Sequence, residues 1–267
     1  MRRKSEGVLL ALSGMLLYGL EPVVIKANPA NPISFAFFSA FIASLILFPT
    51  INLQEAKATW KRGALIGFFG TFLAYISYSI GARLSTAVNA ALITRAEVLF
   101  SFILASIFLG EKITGKRSFY SLLVLSGVTM VITQGKGLEV RVGDLLLLLV
   151  PLFWQIGHVI AKKTKAGPQT IAFLRNSFGS LYLLPLAVAT GLEFTPYSVA
   201  EGFIIAVGQL VWYASIKRID LSLATAIITP APAVAIGIAL FMGEPITAWH
   251  LFGFALIILG TLGLSGE

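Results

Sequence analysis

Ten apolar stretches follow one another along the 267 residues, at about 7–25, 32–51, 62–82, 85–109, 117–133, 143–161, 168–190, 198–216, 221–242 and 246–265. Each is close to the roughly 20 residues that one helical crossing of a bilayer needs. Lipid offers the backbone no hydrogen-bond partners, so only helices and closed barrels cross it. These stretches are too long and too continuously apolar for the alternating strands of a barrel. The chain therefore reads as an all-α polytopic membrane protein with ten transmembrane helices. Its composition agrees, with 57% hydrophobic residues, 12% charged residues and a mean hydropathy of +0.89, against roughly 25% charge in soluble proteins.

The basic residues orient these helices. With the N-terminus inside, Arg2, Arg3, Lys4, Lys57, Lys61, Arg62, Lys112, Lys116, Arg117, Lys162, Lys163, Lys165, Lys217 and Arg218 fall on one side. Only Lys26, Arg83, Lys136 and Arg141 fall on the other. Basic residues collect in cytoplasmic loops, so the expected location is the plasma membrane, multi-pass, with both termini cytoplasmic. The same distribution argues against nucleic acid as a partner despite the net charge of +8, because the charges sit in short clusters between apolar segments. Met1-Arg2-Arg3-Lys4 resembles a signal-peptide start, but no small-residue cleavage site follows and further spans do. The first stretch is read as a retained helix.

The second half of the chain repeats the first. At a shift of 136, Gly7, Tyr18, Lys26, Pro32, Phe37 and Pro49 fall on Gly143, Trp154, Lys162, Pro168, Phe173 and Pro185. At a shift of 133, Gly110, Glu111, Thr114 and Gly127 fall on Gly243, Glu244, Thr247 and Gly260. The predicted units are residues 1–134 and 135–267, with five helices each. An odd number of crossings turns the second copy upside down, so the repeats are inverted about a pseudo-two-fold axis in the membrane plane. Such repeats serve alternating access, with a substrate site near the midplane between the copies.

Gly110-Glu111-Lys112-Ile113-Thr114 and Gly243-Glu244-Pro245-Ile246-Thr247 close the fourth helix of each half. Gly143 to Lys162, with Trp154, opens the second half, and Ser222 to Pro232 leads into the ninth helix. On these residues the chain resembles the drug/metabolite transporter superfamily, in its ten-helix group of paired EamA-type domains, over essentially its whole length. The resemblance implies export of amino acids, other metabolites or drugs, through a central cavity lined by helices 1, 3, 4, 6, 8 and 9. In one respect the chain departs from that pattern. The proline common near the middle of the fourth helix is replaced by the stretch Arg95 to Glu97, while the ninth helix keeps Pro230 and Pro232.

Ionisable groups inside spans are costly, so they face a protein interior or a watery cavity and find partners there. Glu21, Arg95, Glu97, His158 and Arg175 are the candidates. Arg95 and Glu97 lie about a dozen residues into their span, about 15 to 20 Å along it. Residues two apart on a regular helix do not face each other, so these two look to different neighbours unless the helix unwinds. Glu97, on one face with Thr94 and Ser101, is a candidate for binding a substrate amine or for proton coupling, since burial favours the uncharged form of a carboxylate; the alternative is a static pair with an arginine. For Arg95 the candidate partner is Glu21, one turn after Tyr18, with a helix end or lipid phosphate as the alternative. Arg175 reads as a clamp for a substrate carboxylate or as a side chain snorkelling to the inner headgroups. His158 reads as a hydrogen-bonded packing group before a proton relay.

Tyr75 and Tyr78 share a face with Thr71 and Ser79, and Gln209, Trp212 and Tyr213 share another. Mixed aromatic and polar faces suit a cavity wall, and Tyr18 and Trp154 join them as repeat mates; interfacial anchoring fits Trp60 and Trp249 better. Gly63, Gly67 and Gly70 form a small-residue stripe suited to close helix packing. Pro230 and Pro232 each remove a backbone donor, and the carbonyls freed near Ala226 and Ile228 are open to a substrate or to neighbouring side chains.

The chain has no cysteine, which excludes disulfides and thiolate metal sites. With no Walker sequence, no His pair at metal-ligand spacing and no Ser–His arrangement, no enzyme, metal or cofactor reading is supported. The expectation is a secondary active transporter, an exporter of small organic metabolites such as amino acids working by alternating access. Its partners are the lipid bilayer, a small-molecule substrate and protons as candidate coupling ion, in a monomer or homodimer. An uncoupled facilitator or channel, and a lipid-carrier flippase-type membrane component, are the other classes open to this composition.

Overall fold

The computed structural model describes residues 2–109, 114–135, 141–219, 221–243 and 245–265. Gly110 to Ile113 and Glu244, from the repeated Gly-Glu signature, lie outside the described residues, as does Lys136. The helices are α1 Arg2–Ala27, α2 Pro32–Leu47 and α3, which joins Leu53–Gly67 to Ala74–Arg83 through a π-helical turn at Phe68–Leu73. α4 is in two pieces, α4a Ala87–Ile93 and α4b Glu97–Leu109, around a 3-10 turn at Thr94–Ala96. α5 Gly115–Thr133, α6 Val142–Lys162, α7 Pro168–Thr190 and α8 Pro196–Ile216 follow. α9 is broken into α9a Leu221–Ile228 and α9b Pro232–Phe241, and α10 is Ala248–Ser265.

Local chemistry sets several starts. Proline occupies the first turn of α2, α7 and α8, where its missing N–H would be unpaired anyway. Asn52 accepts from the N–H groups of Gln54 and Glu55, and this N-cap starts α3 well before its apolar stretch. Among the described residues seven helices, α1 to α4 and α6 to α8, are long and apolar enough to cross a bilayer. Helices α5 and α10 hold shorter apolar runs, Ser118–Thr133 and Ala248–Gly263, and α9 falls short because Pro230 and Pro232 divide it.

The packing carries the expected two-fold relation. Helix α1 packs on α8 as α6 packs on α3; α2 packs on α8 as α7 packs on α3; α1 packs on α9 as α6 packs on α4. The remaining strong pairs, α2 with α7 and α5 with α10, map onto themselves. Five helices matched to five in this way are two inverted repeats, with α1, α3, α4, α6, α8 and α9 forming an inner ring. Leucine and phenylalanine side chains such as Leu9, Leu45, Leu181 and Phe203 point outward, while Asn176, Gln155 and Asp144 are fully buried. Only a chain whose outer solvent is lipid gains from that distribution. Trp60 and Trp249 are half exposed near helix ends, as interfacial anchors would be.

Side chains tie the loops together at each end. At one end Lys26 donates to the carbonyls of Ala82, Arg83 and Ser85, and Asn31 bonds Thr190 and Glu193. At the basic end Arg62 donates to Lys163 O, Lys163 to Phe108 O and Lys217 to Thr164 O. Cations thus meet helix C-termini, where carbonyls lack intrahelical partners and the dipole is negative.

Candidate functional site

The inner ring and α7 line a narrow cavity of about 30 Å³. Tyr18 and Glu21 reach it from α1, Tyr75 from α3, Arg95 and Glu97 from α4, and Trp154 and His158 from α6. Arg175 enters from α7, Gln209 and Trp212 from α8, and Ile228 from the end of α9a. Tyr213 and Tyr78 stand just behind this wall: the Tyr213 hydroxyl accepts from Arg175, and Tyr78 sits edge-on to Trp154 at 5.5 Å between ring centroids.

Helix α7 is not among the lining helices that the resemblance implies, and the glycine stripe of α3 explains its presence. A Cβ added at Gly63 would lie 2.6 Å from Leu174 Cβ, and one at Gly67 would lie 2.7 Å from Arg175 O. The two backbones therefore touch, and the Arg175 side chain passes across the seam into the interior. It does not snorkel. Arg175 is 3% exposed, and its guanidinium donates to Thr71 Oγ1 at 3.2 Å, Tyr213 OH at 3.0 Å and the Gly70 carbonyl. Both Gly70 and Thr71 belong to the π turn of α3, a distortion that re-aims backbone groups and recurs at functional sites. Arg175 Nη1 also stands 3.5 Å from His158 Nε2, which makes that nitrogen the acceptor and leaves the ring proton on Nδ1. Among the described residues no carboxylate lies within ion-pair distance of Arg175.

Arg95 and Glu97 depart from the expectation that they face different neighbours. The turn between them is 3-10, not α, and Arg95 Nη1 lies 3.0 Å from Glu97 Oε1. Neither Glu21 nor a lipid headgroup is the partner of Arg95. The same Nη1 donates at 3.3 Å to Ile228 O, the last carbonyl of α9a, which Pro232 deprives of its helical donor. One of the two carbonyls freed by the prolines is thus met by a side chain. Since Arg95 and Ile228 are repeat mates, 133 residues apart, the arginine joins the two helix breaks across the pseudo-two-fold axis. Glu97 opens α4b, where a negative charge suits the helix dipole.

Two buried acids escape the sequence reading. Glu201 is 2% exposed and contacts Glu21, and Asp144 is fully buried, accepting from Ser85 Oγ at 2.6 Å and Asn89 Nδ2 at 3.1 Å. Pro196 is the signal that would have found Glu201: a helix beginning there places it more than one turn inside α8, whereas an apolar window beginning at 198 leaves it at the edge. Asp144 follows Arg141 by three residues in the first turn of α6, the position an acid favours at a helix start.

The rest of the wall is aromatic with polar edges. Gln209 donates to Tyr75 OH at 3.1 Å and accepts from Asn176 at 2.7 Å. Trp212 packs against His158 at 5.3 Å and Tyr18 at 6.5 Å. Among the described residues, and apart from the paired Arg95 and Glu97, three polar atoms on lining residues, Trp154 Nε1, Trp212 Nε1 and His158 Nδ1, make no hydrogen bond. Each is a donor, and leaving a buried donor unmet costs about 1–3 kcal/mol. Three such donors beside an arginine with no carboxylate partner form a site with surplus donor capacity, suited to an anion.

A family model described as the EamA-like transporter family matches residues 5–133 and again residues 141–266. The chain is 26% identical over 259 residues to an uncharacterized transporter of Bacillus subtilis, covering 90% of this chain and 85% of that protein. It is 25% identical over 211 residues to a probable terminal-alkyne amino-acid exporter of Streptantibioticus cattleyicolor, covering 74% and 71%. A solved crystal structure superposes with a TM-score of 0.73 at 16% identity, covering 97% of this chain and 96% of that one, a likeness of fold.

Proposed function

The chain belongs to the EamA-like transporter family, and we propose that within it the chain is a secondary active exporter of small metabolites carrying a carboxylate, amino acids first among them. The observation that carries this reading is Arg175, a buried cation with no carboxylate partner among the described residues, set among unmet donors on Trp154, Trp212 and His158. A planar guanidinium offers a carboxylate matched donors. Glu97, with Arg95 behind it, and Glu21 offer negative charge to an ammonium in the same cavity. Tyr18, Tyr75 and Trp212 accommodate an apolar side chain. The name of the Streptantibioticus relative, an amino-acid exporter, supports the same class.

Transport proceeds by alternating access. The broken helices α4 and α9 meet at the cavity, as discontinuous helices do at the sites of inverted-repeat transporters. Rocking of one repeat against the other opens the lysine-to-carbonyl ties at one end while those at the other hold. The protein lies in the plasma membrane with both termini cytoplasmic, following its basic loops.

Counterflow in proteoliposomes preloaded with a mixed amino-acid pool tests the reading. Labelled amino acids, offered one at a time, are expected to accumulate against the preload. No counterflow of any amino acid by folded protein overturns the amino-acid assignment.

A further inference from the structure

We propose that Glu21 and Glu201 form a one-proton site, and that this proton is exchanged for the solute's ammonium group. This inference rests on the reading of the chain as a transporter of amino-acid-like solutes.

The two carboxyls come from α1 and α8 and are 3% and 2% exposed. Glu21 lies six residues from the end of α1 and Glu201 five from the start of α8, so at a rise of about 1.5 Å per residue both stand about 8 to 9 Å inside the same end of the bundle. Helices α1 and α8 pack on each other, and the two carboxyls stand side by side between them. An ionised carboxylate only accepts, so the two can bond to each other only when one of them carries a proton. Two adjacent buried carboxylates repel as well, which again favours one shared proton.

The surroundings leave the pair no other source of positive charge in contact. Among the described residues no lysine or arginine lies within ion-pair distance of either group. The charged groups that act on the pair from neighbouring helices are Arg175 on α7 and Arg95 and Glu97 on α4. Arg175 is held by Thr71, Tyr213 and Gly70, and Arg95 by Glu97 and Ile228. Tyr75 and Tyr78 face the pair from α3, Tyr18 lies one turn away on α1, and α2, α9a and α9b bring no ionisable side chain.

Glu21 lines the cavity, while Glu201 Oε2 is buried without a hydrogen bond. One carboxyl therefore meets the solute and the other stands behind it. When an ammonium reaches Glu21, the shared proton leaves to the side then open, and the pair becomes two carboxylates facing one ammonium. The local charge is −1 before and after. Solute and proton thus compete for one place, which links outward solute movement to inward proton movement.

Two measurements test this, and they fail independently. In the first, infrared spectra of the purified protein near neutral pH are compared with those of Glu21→Gln and Glu201→Gln. The expected result is a protonated-carboxyl band that either substitution removes and that Glu201→Asp retains. A spectrum without the band, or one that neither substitution changes, overturns the proton site. In the second, proteoliposomes with an imposed pH gradient are offered the labelled amino-acid pool. Glu201→Gln is expected to lower the accumulation ratio to unity, whereas Glu201→Asp, which keeps a carboxyl beside Glu21, is expected to hold it above unity. A ratio unchanged from the wild-type protein overturns the coupling role. The band without any wild-type counterflow supports the proton site and overturns the solute reading.

Discussion

Replacing Arg95 with methionine keeps most of the side chain's volume and removes its charge. In the intact protein Arg95 is 4% exposed, with Nη1 at 3.0 Å from Glu97 and 3.3 Å from Ile228 O. The substitution leaves the Glu97 carboxylate buried without a cation, and removing one partner of a buried pair costs roughly 3–5 kcal/mol. The Ile228 carbonyl adds little, because it still accepts from the Ala231 N–H at 3.0 Å; about 1 kcal/mol is a generous allowance. The single variant should therefore lose about 3–6 kcal/mol. Adding Glu97→Gln removes the stranded charge, and a pair replaced by neutral groups of similar volume is often near neutral in stability. The double variant should recover most of the loss, a coupling of at least about 2 kcal/mol. Denaturant-induced unfolding in detergent, followed for wild type, both single variants and the double, reads the cycle directly. A double variant no more stable than Arg95→Met, or an Arg95→Met protein as stable as wild type, would refute the buried pair.

Gly67→Ala should separate α3 from α7, because the new Cβ would meet backbone atoms, Arg175 O at 2.7 Å and Gly179 N at 2.9 Å; a loss of about 1–3 kcal/mol and weakened solute counterflow are expected, whereas Gly115→Ala, with nothing within 4 Å of its Cβ, should change neither. Asp144→Ala strands the donors of Ser85 and Asn89 in a buried position, so its melting temperature should fall by an amount corresponding to roughly 2–4 kcal/mol, and Asp144→Asn, which keeps an acceptor, should lose less.

The ten crossings and their duplication are legible in the sequence because lipid enforces them: each span must be apolar and helical, and an odd count must invert the second copy. Most of the cavity wall is legible for the same reason, since Glu21, Arg175 and His158 have no place in lipid and must turn inward. Tyr18 and Trp154 follow from their equivalence between the halves. What escaped depends on local geometry that residue spacing does not carry. Nothing in the run from Thr94 to Glu97 marks a 3-10 turn, yet that turn alone brings Arg95 to Glu97. The role of Gly70 as acceptor for Arg175 depends on the π turn around it, and the entry of α7 depends on a helix contact between distant segments. Glu201 was hidden by a boundary two residues out of place.

The central claim is that solute passes through the cavity at the break of α9, exposed to the two sides in turn. The chain has no cysteine, so Ile228→Cys provides a single thiol on the cavity wall. Its labelling by a membrane-impermeant reagent, applied to one side of sealed vesicles and then to the other, is the most direct test. The account predicts labelling from both sides, with the two rates moving in opposite directions when an amino-acid gradient is imposed and labelling blocking counterflow. A thiol reached from neither side while amino acids still flow, or from both sides in proportions that no gradient changes, would contradict it.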